Sequence, residues 1–240
     1  MKVSIIVGGR FHAFDLAHQL QKHGVLYQLI TTYPKSKAKV FGINTETIKT
    51  FSFIEYFKRG IHKLFGLYPL NFFLTELFDR LASRSLKKDA DVYIIWAGMA
   101  LRSIRRIRKI NPNAKIILER GSAHIEEQDR LLKEIVGRPL INKKVIEKET
   151  REYELVDYIS LPSAFTERTF TDRQIPEDKI LVNPYGVDLS RFFPKGNNSD
   201  LKNFIIGYAG TMSRRKNIQG IIKASELLIK EGKNIQLNLI

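Results

Sequence analysis

The chain has no cysteine, so disulfide bridges and thiolate metal sites are both excluded. It also lacks a long apolar run. Tyr93–Ala97 is among the longest, far short of the roughly 20 residues that cross a bilayer. The opening Met-Lys-Val-Ser-Ile-Ile-Val-Gly-Gly is too short in its apolar part for a secretory signal and carries no small-residue cleavage site. It reads as a first strand, and the cytoplasm is the expected location. Acidic residues are in deficit. The chain carries 25 Asp and Glu against 40 Lys and Arg, a net charge of +15 over 240 residues. No acid occurs between Val92 and Leu118.

Such a surplus speaks of partners, not of fold. Nucleic acid, an anionic membrane surface and a phosphorylated ligand all fit it. No helix-turn-helix, zinc or RNA-stacking signature is present, so nucleic acid is not expected. Two basic clusters favour a membrane surface. Lys58, Arg59 and Lys63 are interleaved with Phe57, Ile61, Leu64 and Phe65. Arg102, Arg105 and Arg106, with Arg108 and Lys109, crowd one predicted helix. Basic residues mixed with bulky apolar ones suit the headgroup boundary. The plainer reading is a solvated basic face over ordinary core residues.

What is present is an alternation of strands and helices. Val3–Val7 is continuously apolar, as for a strand buried on both faces. A helix to about His23 and a strand at Leu26–Thr31 follow. Residues 34–88 are rich in aromatics, less regular, and predicted helical in two or more pieces. The alternation returns with strands at Val92–Trp96, Lys115–Leu118, Tyr158–Leu161 and Lys179–Val182. Predicted helices lie between them, and Ser163 is an N-cap candidate. The expected fold is α/β, a Rossmann-like parallel sheet with helices on both faces. A polar linker, Gly196–Asp200, marks a boundary near residue 200. Residues 1–200 are expected to form the first domain. Residues 201–240 supply only the strand, helix and strand that open a truncated second one.

Three segments carry candidate chemistry. Gly8 and Gly9, with Arg10, follow the first strand, where ligands approach an open α/β sheet. The dinucleotide fingerprint is not met: a third Gly at the right offset is missing, and the second strand closes on Thr31-Thr32 without an acid. That argues against a nicotinamide-dependent oxidoreductase. The second segment, Glu119 to His124, includes Arg120 and Ser122. Here His124 could donate a hydrogen bond or move a proton near neutral pH. The third runs from Gly207 to Asn217. Gly210 and free helix N–H groups offer an anion site, and Arg214, Arg215 and Lys216 could neutralise a diphosphate. Cations at a helix N-terminus oppose the macrodipole unless an anion is bound.

In this order the segments resemble the retaining glycosyltransferases of the GT-B fold, specifically family 4. The most specific part is Asn183-Pro184-Tyr185-Gly186-Val187-Asp188 with Arg191, Phe192 and Pro194. It is similar to the family's junction between two Rossmann-like domains, with Tyr185 inserted. The segment 204–222 is similar to the donor-diphosphate site, with Thr211 in the place of the usual Arg and Lys216 matching the Lys. The resemblance implies hexose transfer, with retention, from a nucleotide-diphosphate sugar to a glycan or lipid-linked acceptor. It implies no metal and no cofactor beyond the donor. By the same carry-over, His124 would be the active-site His. Gly8 and Gly9 would lie in the cleft near the acceptor and the donor sugar, where Arg10, Arg120 and Ser122 are candidates by their strand-end position, and Lys216 with Arg214 or Arg215, beside Gly210, would hold the diphosphate. The family's glutamate pair would lie beyond residue 240. Many relatives work at the cytoplasmic membrane face. The rival expectation is a catalytically inactive module or fragment that docks on a membrane surface or a partner.

Overall fold

The computed structural model describes residues 1–65, 70–189, 192–193 and 204–240, the side chains of 62–65 excepted. Arg191, Pro194, the side chain of Lys63 and the expected linker at 196–200 lie outside the described residues. The chain divides into two compact units. One comprises Met1–Gln128 and Ile141–Pro184; the other comprises Asp129–Leu140 and Tyr185–Ile240.

The first unit is built on a parallel seven-stranded sheet. Its strands are β1 (Val3–Val7), β2 (Leu26–Thr31), β3 (Ile48–Thr50), β4 (Val92–Trp96), β5 (Lys115–Glu119), β6 (Tyr158–Leu161) and β7 (Ile180–Val182). Their spatial order is β3-β2-β1-β4-β5-β6-β7. The direction of winding reverses between β1 and β4, which is where ligands meet an open sheet.

Side chains alternate across the sheet, and each face has its own core. Ile6, Ile30, Ile95 and Leu118 meet Phe78, Ile104, Tyr153 and Phe170 on one face. These come from helices α4 (Leu70–Arg84), α5 (Leu101–Ile110), α7 (Lys143–Leu155) and α8 (Ala164–Thr171). Ile5, Val7, Leu29 and Trp96 meet Phe14 and Ala17 of α1 (Ala13–Lys22) on the other face. Each of the Ile, Leu, Val and Phe side chains among them contributes about 1.5–3 kcal/mol when fully buried. Ser163 caps α8 in a reciprocal box with Thr166, as its sequence position predicts.

The aromatic region holds α2 (Lys35–Lys39), α3 (Ser52–Phe65) and α4. It also holds β3, which the sequence reading did not separate from its helical surroundings. At three residues on the sheet edge, β3 is too short to show a period. α5 is strongly two-faced. Ser103, Ile104 and Ile107 are buried, while Arg102, Arg105, Arg106 and Lys109 are exposed. Asp79 of α4 starts this helix. Its carboxylate accepts from Arg102 N at 2.8 Å, Ser103 N at 2.9 Å and Ser103 Oγ at 2.7 Å.

The second unit contains α6's outer part, since α6 runs Ile125–Val136. It also contains β8 (Phe204–Tyr208), α9 (Ile218–Lys230) and β9 (Ile235–Leu239). β8 and β9 pair in parallel from Phe204 with Ile235 to Tyr208 with Leu239, the connection a β-α-β unit requires.

Candidate functional site

In the first unit, three loops follow β1, β4 and β5 at the same end of the sheet. The β1 loop is tied down. The Gly8 N–H donates to Met99 Sδ at 2.8 Å, and Thr31 Oγ1 donates to Gly9 O at 2.6 Å. Arg10 is exposed, with its guanidinium 5.4 Å from the centre of the Phe41 ring. His12 lies 3.0 Å from the buried carboxylate of Glu119 and 5.0 Å from the Trp96 ring. The pair joins the β1 and β5 loops. It was not separated from its segments in the sequence, because a His and a Glu 107 residues apart carry no local signal.

The β4 loop is held by Glu152 of α7. Its two carboxylate oxygens accept from Gly98 N at 2.6 Å and Ala100 N at 2.8 Å. Burial pushes the Glu152 carboxyl up to about 8, against the pull of the Ala100 N–H and Lys148. Glu149, one turn earlier, accepts from the Tyr153 hydroxyl. Burial raises its pKa as well, opposed by Arg120.

Arg120 Nε lies 2.8 Å from Glu149 Oε1, yet this nitrogen makes no aligned hydrogen bond. The contact is therefore an ion pair, and the directed bond runs from Nη2 to Gln128 Oε1 at 2.6 Å. Ser122 is half-buried.

His124 is 3 % exposed and sits against Tyr153 and Phe170, with ring centres 4.9 and 5.0 Å away. It precedes α6, and its Nδ1 accepts the Glu126 N–H at 3.3 Å. That places the ring proton on Nε2. Glu126 Oε2 is also 3.9 Å from Nδ1, but an ion pair would need a charged ring. Burial, with Arg173 and Arg120 adding to it, lowers the His124 pKa to about 4. At neutral pH the ring is therefore uncharged, and its available chemistry is hydrogen-bond donation from Nε2. Proton transfer near neutrality does not fit this environment.

The second unit presents the basic turn. β8 ends at Tyr208, and Gly210 adopts φ +150°, a conformation that side chains with a Cβ rarely take. Arg214–Lys216 form a single 3-10 turn. Asn217 then turns left-handed, φ +51°, before α9 begins at Ile218. The sequence placed the cations at the N-terminus of the helix; the structure puts them in the turn just before it. Arg214, Arg215 and Lys216 are exposed. Among the described residues none of their side chains forms an ion pair or hydrogen bond.

The membrane-contact candidates sit on two helices, α3 and α5. Lys58 and Arg59 are exposed on α3, Arg59 paired with Glu55 at 2.8 Å. Phe53, Tyr56 and Phe57 are exposed on the same helix. Arg108, in contrast, is a fastening of the fold, bonded to Asp157 and to the carbonyls of Ala114 and Leu155. Among the described residues no helix is long and apolar enough to cross a membrane, and no group of three or more His, Asp or Glu could hold a metal ion.

The sequence matches no protein-family model and no curated protein. Its fold matches solved structures. An apo structure of OtsA superposes with a TM-score of 0.54 at 11% identity, over 100% of this chain and 65% of that one. A UDP-GlcNAc 2-epimerase from Neisseria meningitidis bound to UDP-GlcNAc gives 0.51 at 14%, over 100% and 66%. The UDP-GlcNAc 2-epimerase from Methanocaldococcus jannaschii gives 0.51 at 16%, over 99% and 65%. The chain thus spans just under two thirds of the length of these structures. At such identities the likeness concerns the fold alone, and that fold is GT-B-like: a Rossmann-like α/β sheet with helices on both faces.

Proposed function

We propose that the chain belongs to a nucleotide-sugar-dependent glycosyltransferase, with residues 1–200 as its acceptor-side domain and residues 201–240 as part of its donor-binding domain. It transfers a hexose, with retention, from a nucleotide-diphosphate sugar to a glycan or lipid-linked acceptor at the cytoplasmic membrane face. The observation that carries this reading is the basic turn after β8. Three cations, unpartnered among the described residues, follow Gly210 and precede a helix whose N-cap side chain makes no capping bond. Like charges held together in this way favour an anion. A diphosphate leaving group needs such stabilisation, and cations supply it without a metal. In this reading Gly210, Arg214, Arg215 and Lys216 hold the diphosphate. His124 donates its Nε2–H to a sugar oxygen. Gly8, Gly9, Arg10, Arg120 and Ser122 serve the acceptor side, Arg120 by positioning.

Calorimetric titration with UDP tests the diphosphate site. Replacing Arg214, Arg215 and Lys216 together by Ala should weaken binding by about 3 kcal/mol, roughly a hundredfold, at about 1 kcal/mol per exposed charged contact. Equal affinity of the variant and the parent would remove the basis for the reading. Epimerisation of UDP-GlcNAc without any acceptor would replace transfer by epimerisation, the activity named for two of the similar structures.

A second reading rests on α3. Phe53, Tyr56 and Phe57 stand on one helical face beside Lys58 and Arg59, a pattern suited to a lipid surface. A non-catalytic module would partition onto anionic vesicles through this helix and show no UDP affinity.

A further inference from the structure

Two basic runs far apart in the sequence converge in the first unit. Arg102 and Arg105 lie three residues apart on α5. Lys144, Lys148 and Arg151 recur at four- and three-residue spacing on α7 and so share one face. α5 packs against both α4 and α7. The five cations line one open cavity of about 240 Å³.

The cations are unequally satisfied. Lys148 is buried and pairs with Glu76, and it lies 3.6 Å from Asp79. Arg102 lies 3.5 Å from the same Glu76. These acids are therefore already shared. Among the described residues, Arg105, Lys144 and Arg151 have no side-chain hydrogen bond or ion pair, and the remaining acid of the lining, Glu147, pairs with none of them. The α5 N–H groups of Arg102 and Ser103 are taken by Asp79, so the site is one of side chains, not of a helix end. Phe72 and Leu101 form its apolar wall.

We propose that this cavity is a binding site for a phosphate group, separate from the basic turn after β8. Two arginines can each offer a planar pair of donors to phosphate oxygens, and Lys144 adds a point charge. The cavity exceeds one phosphate in size, so the ligand carries a further group against Phe72 and Leu101. A phosphomonoester or diphosphate has this chemistry. It comes either from a soluble metabolite or from a lipid headgroup.

The test uses the full chain with Arg214, Arg215 and Lys216 replaced by Ala, so that the turn after β8 contributes nothing. Arg105→Ala and Arg151→Ala are then added. Both residues are exposed, so the fold should persist, as circular dichroism would confirm. Pyrophosphate is titrated by calorimetry at about 0.15 M salt, where unpaired surface charges are screened. The added pair should weaken pyrophosphate on the order of tenfold or more, from the loss of charge-assisted bonds. In parallel, both proteins are sedimented with phosphatidic acid vesicles. Partition that falls with the added pair supports the site and assigns the phosphate to a lipid headgroup. A pyrophosphate effect without partition supports it and assigns a soluble ligand. If the two proteins are alike in both measurements, the proposal is overturned.

Discussion

His124 gives the sharpest quantitative test. The folded ring is held neutral, its pKa lowered from 6.5 to about 4 by burial and by the charges of Arg173 and Arg120. In the unfolded chain the ring titrates near its ordinary value. Below that value the unfolded state binds a proton that the folded state refuses. The stability associated with the neutral ring is therefore full above about pH 6.5 and is lost as pH falls towards about 4. Integrated, the displacement is worth about 3 kcal/mol, of which about 2.5 kcal/mol is lost by about pH 4.5. The perturbation is His124→Asn. Asn preserves an acceptor for the Glu126 N–H but cannot titrate. It also leaves space against Tyr153 and Phe170, a loss of about 1–3 kcal/mol that does not depend on pH. Urea denaturation of both proteins, from about pH 7.5 to about pH 4.5, measures the difference between them. The parent's advantage should shrink by about 2.5 kcal/mol over that range. Carboxylates elsewhere cancel in the difference. Parallel curves would refute a neutral, buried His124, and with it the donor role given to Nε2.

Further outcomes follow from the buried charges. Glu152→Gln should show the opposite pH trend: with the folded pKa raised from 4.5 to about 8, the parent's advantage falls as pH rises through that window, readable in the same denaturation experiment. Asp79→Ala removes the start of α5 and one partner of Lys148, and should cost about 3 kcal/mol by urea midpoint. Ser103→Ala, which spares the N–H bonds, should cost only about 1 kcal/mol. Gly98→Ala should destabilise by about 1–2 kcal/mol, because the new Cβ must adopt a positive φ and would lie 3.0 Å from Glu149 Oε2; an unchanged melting temperature would mean the β4 loop is looser than described.

Most of the fold was legible because its signals are local. β1 is buried at every residue, and that shows in the sequence as an unbroken apolar run. Ser163 announces α8 as an N-cap residue. β3 carries no such signal, since three residues cannot display a period and an edge strand takes its identity from its neighbour. The candidate site was legible only in part. The glycines and the Arg-Arg-Lys turn stand out by composition. The carboxylates of α7 do not: Glu149 and Glu152 look like the exposed acids of a charged helix, and burial turns them into the holders of Arg120 and the β4 loop.

The sequence by itself determined the strands other than β3, most of the helices and the excess of positive charge, because backbone preference and hydrophobic period act between near neighbours. Only the tertiary structure decided which charges are spent. It used Arg108 to fasten the fold and Lys148 to answer Glu76 and Asp79, and it left Arg105, Lys144 and Arg151 facing one cavity. It also made His124 neutral. Solvation and Coulomb interaction depend on distance in space, and two helices packed on one sheet bring together charges that lie some 40 residues apart in the chain.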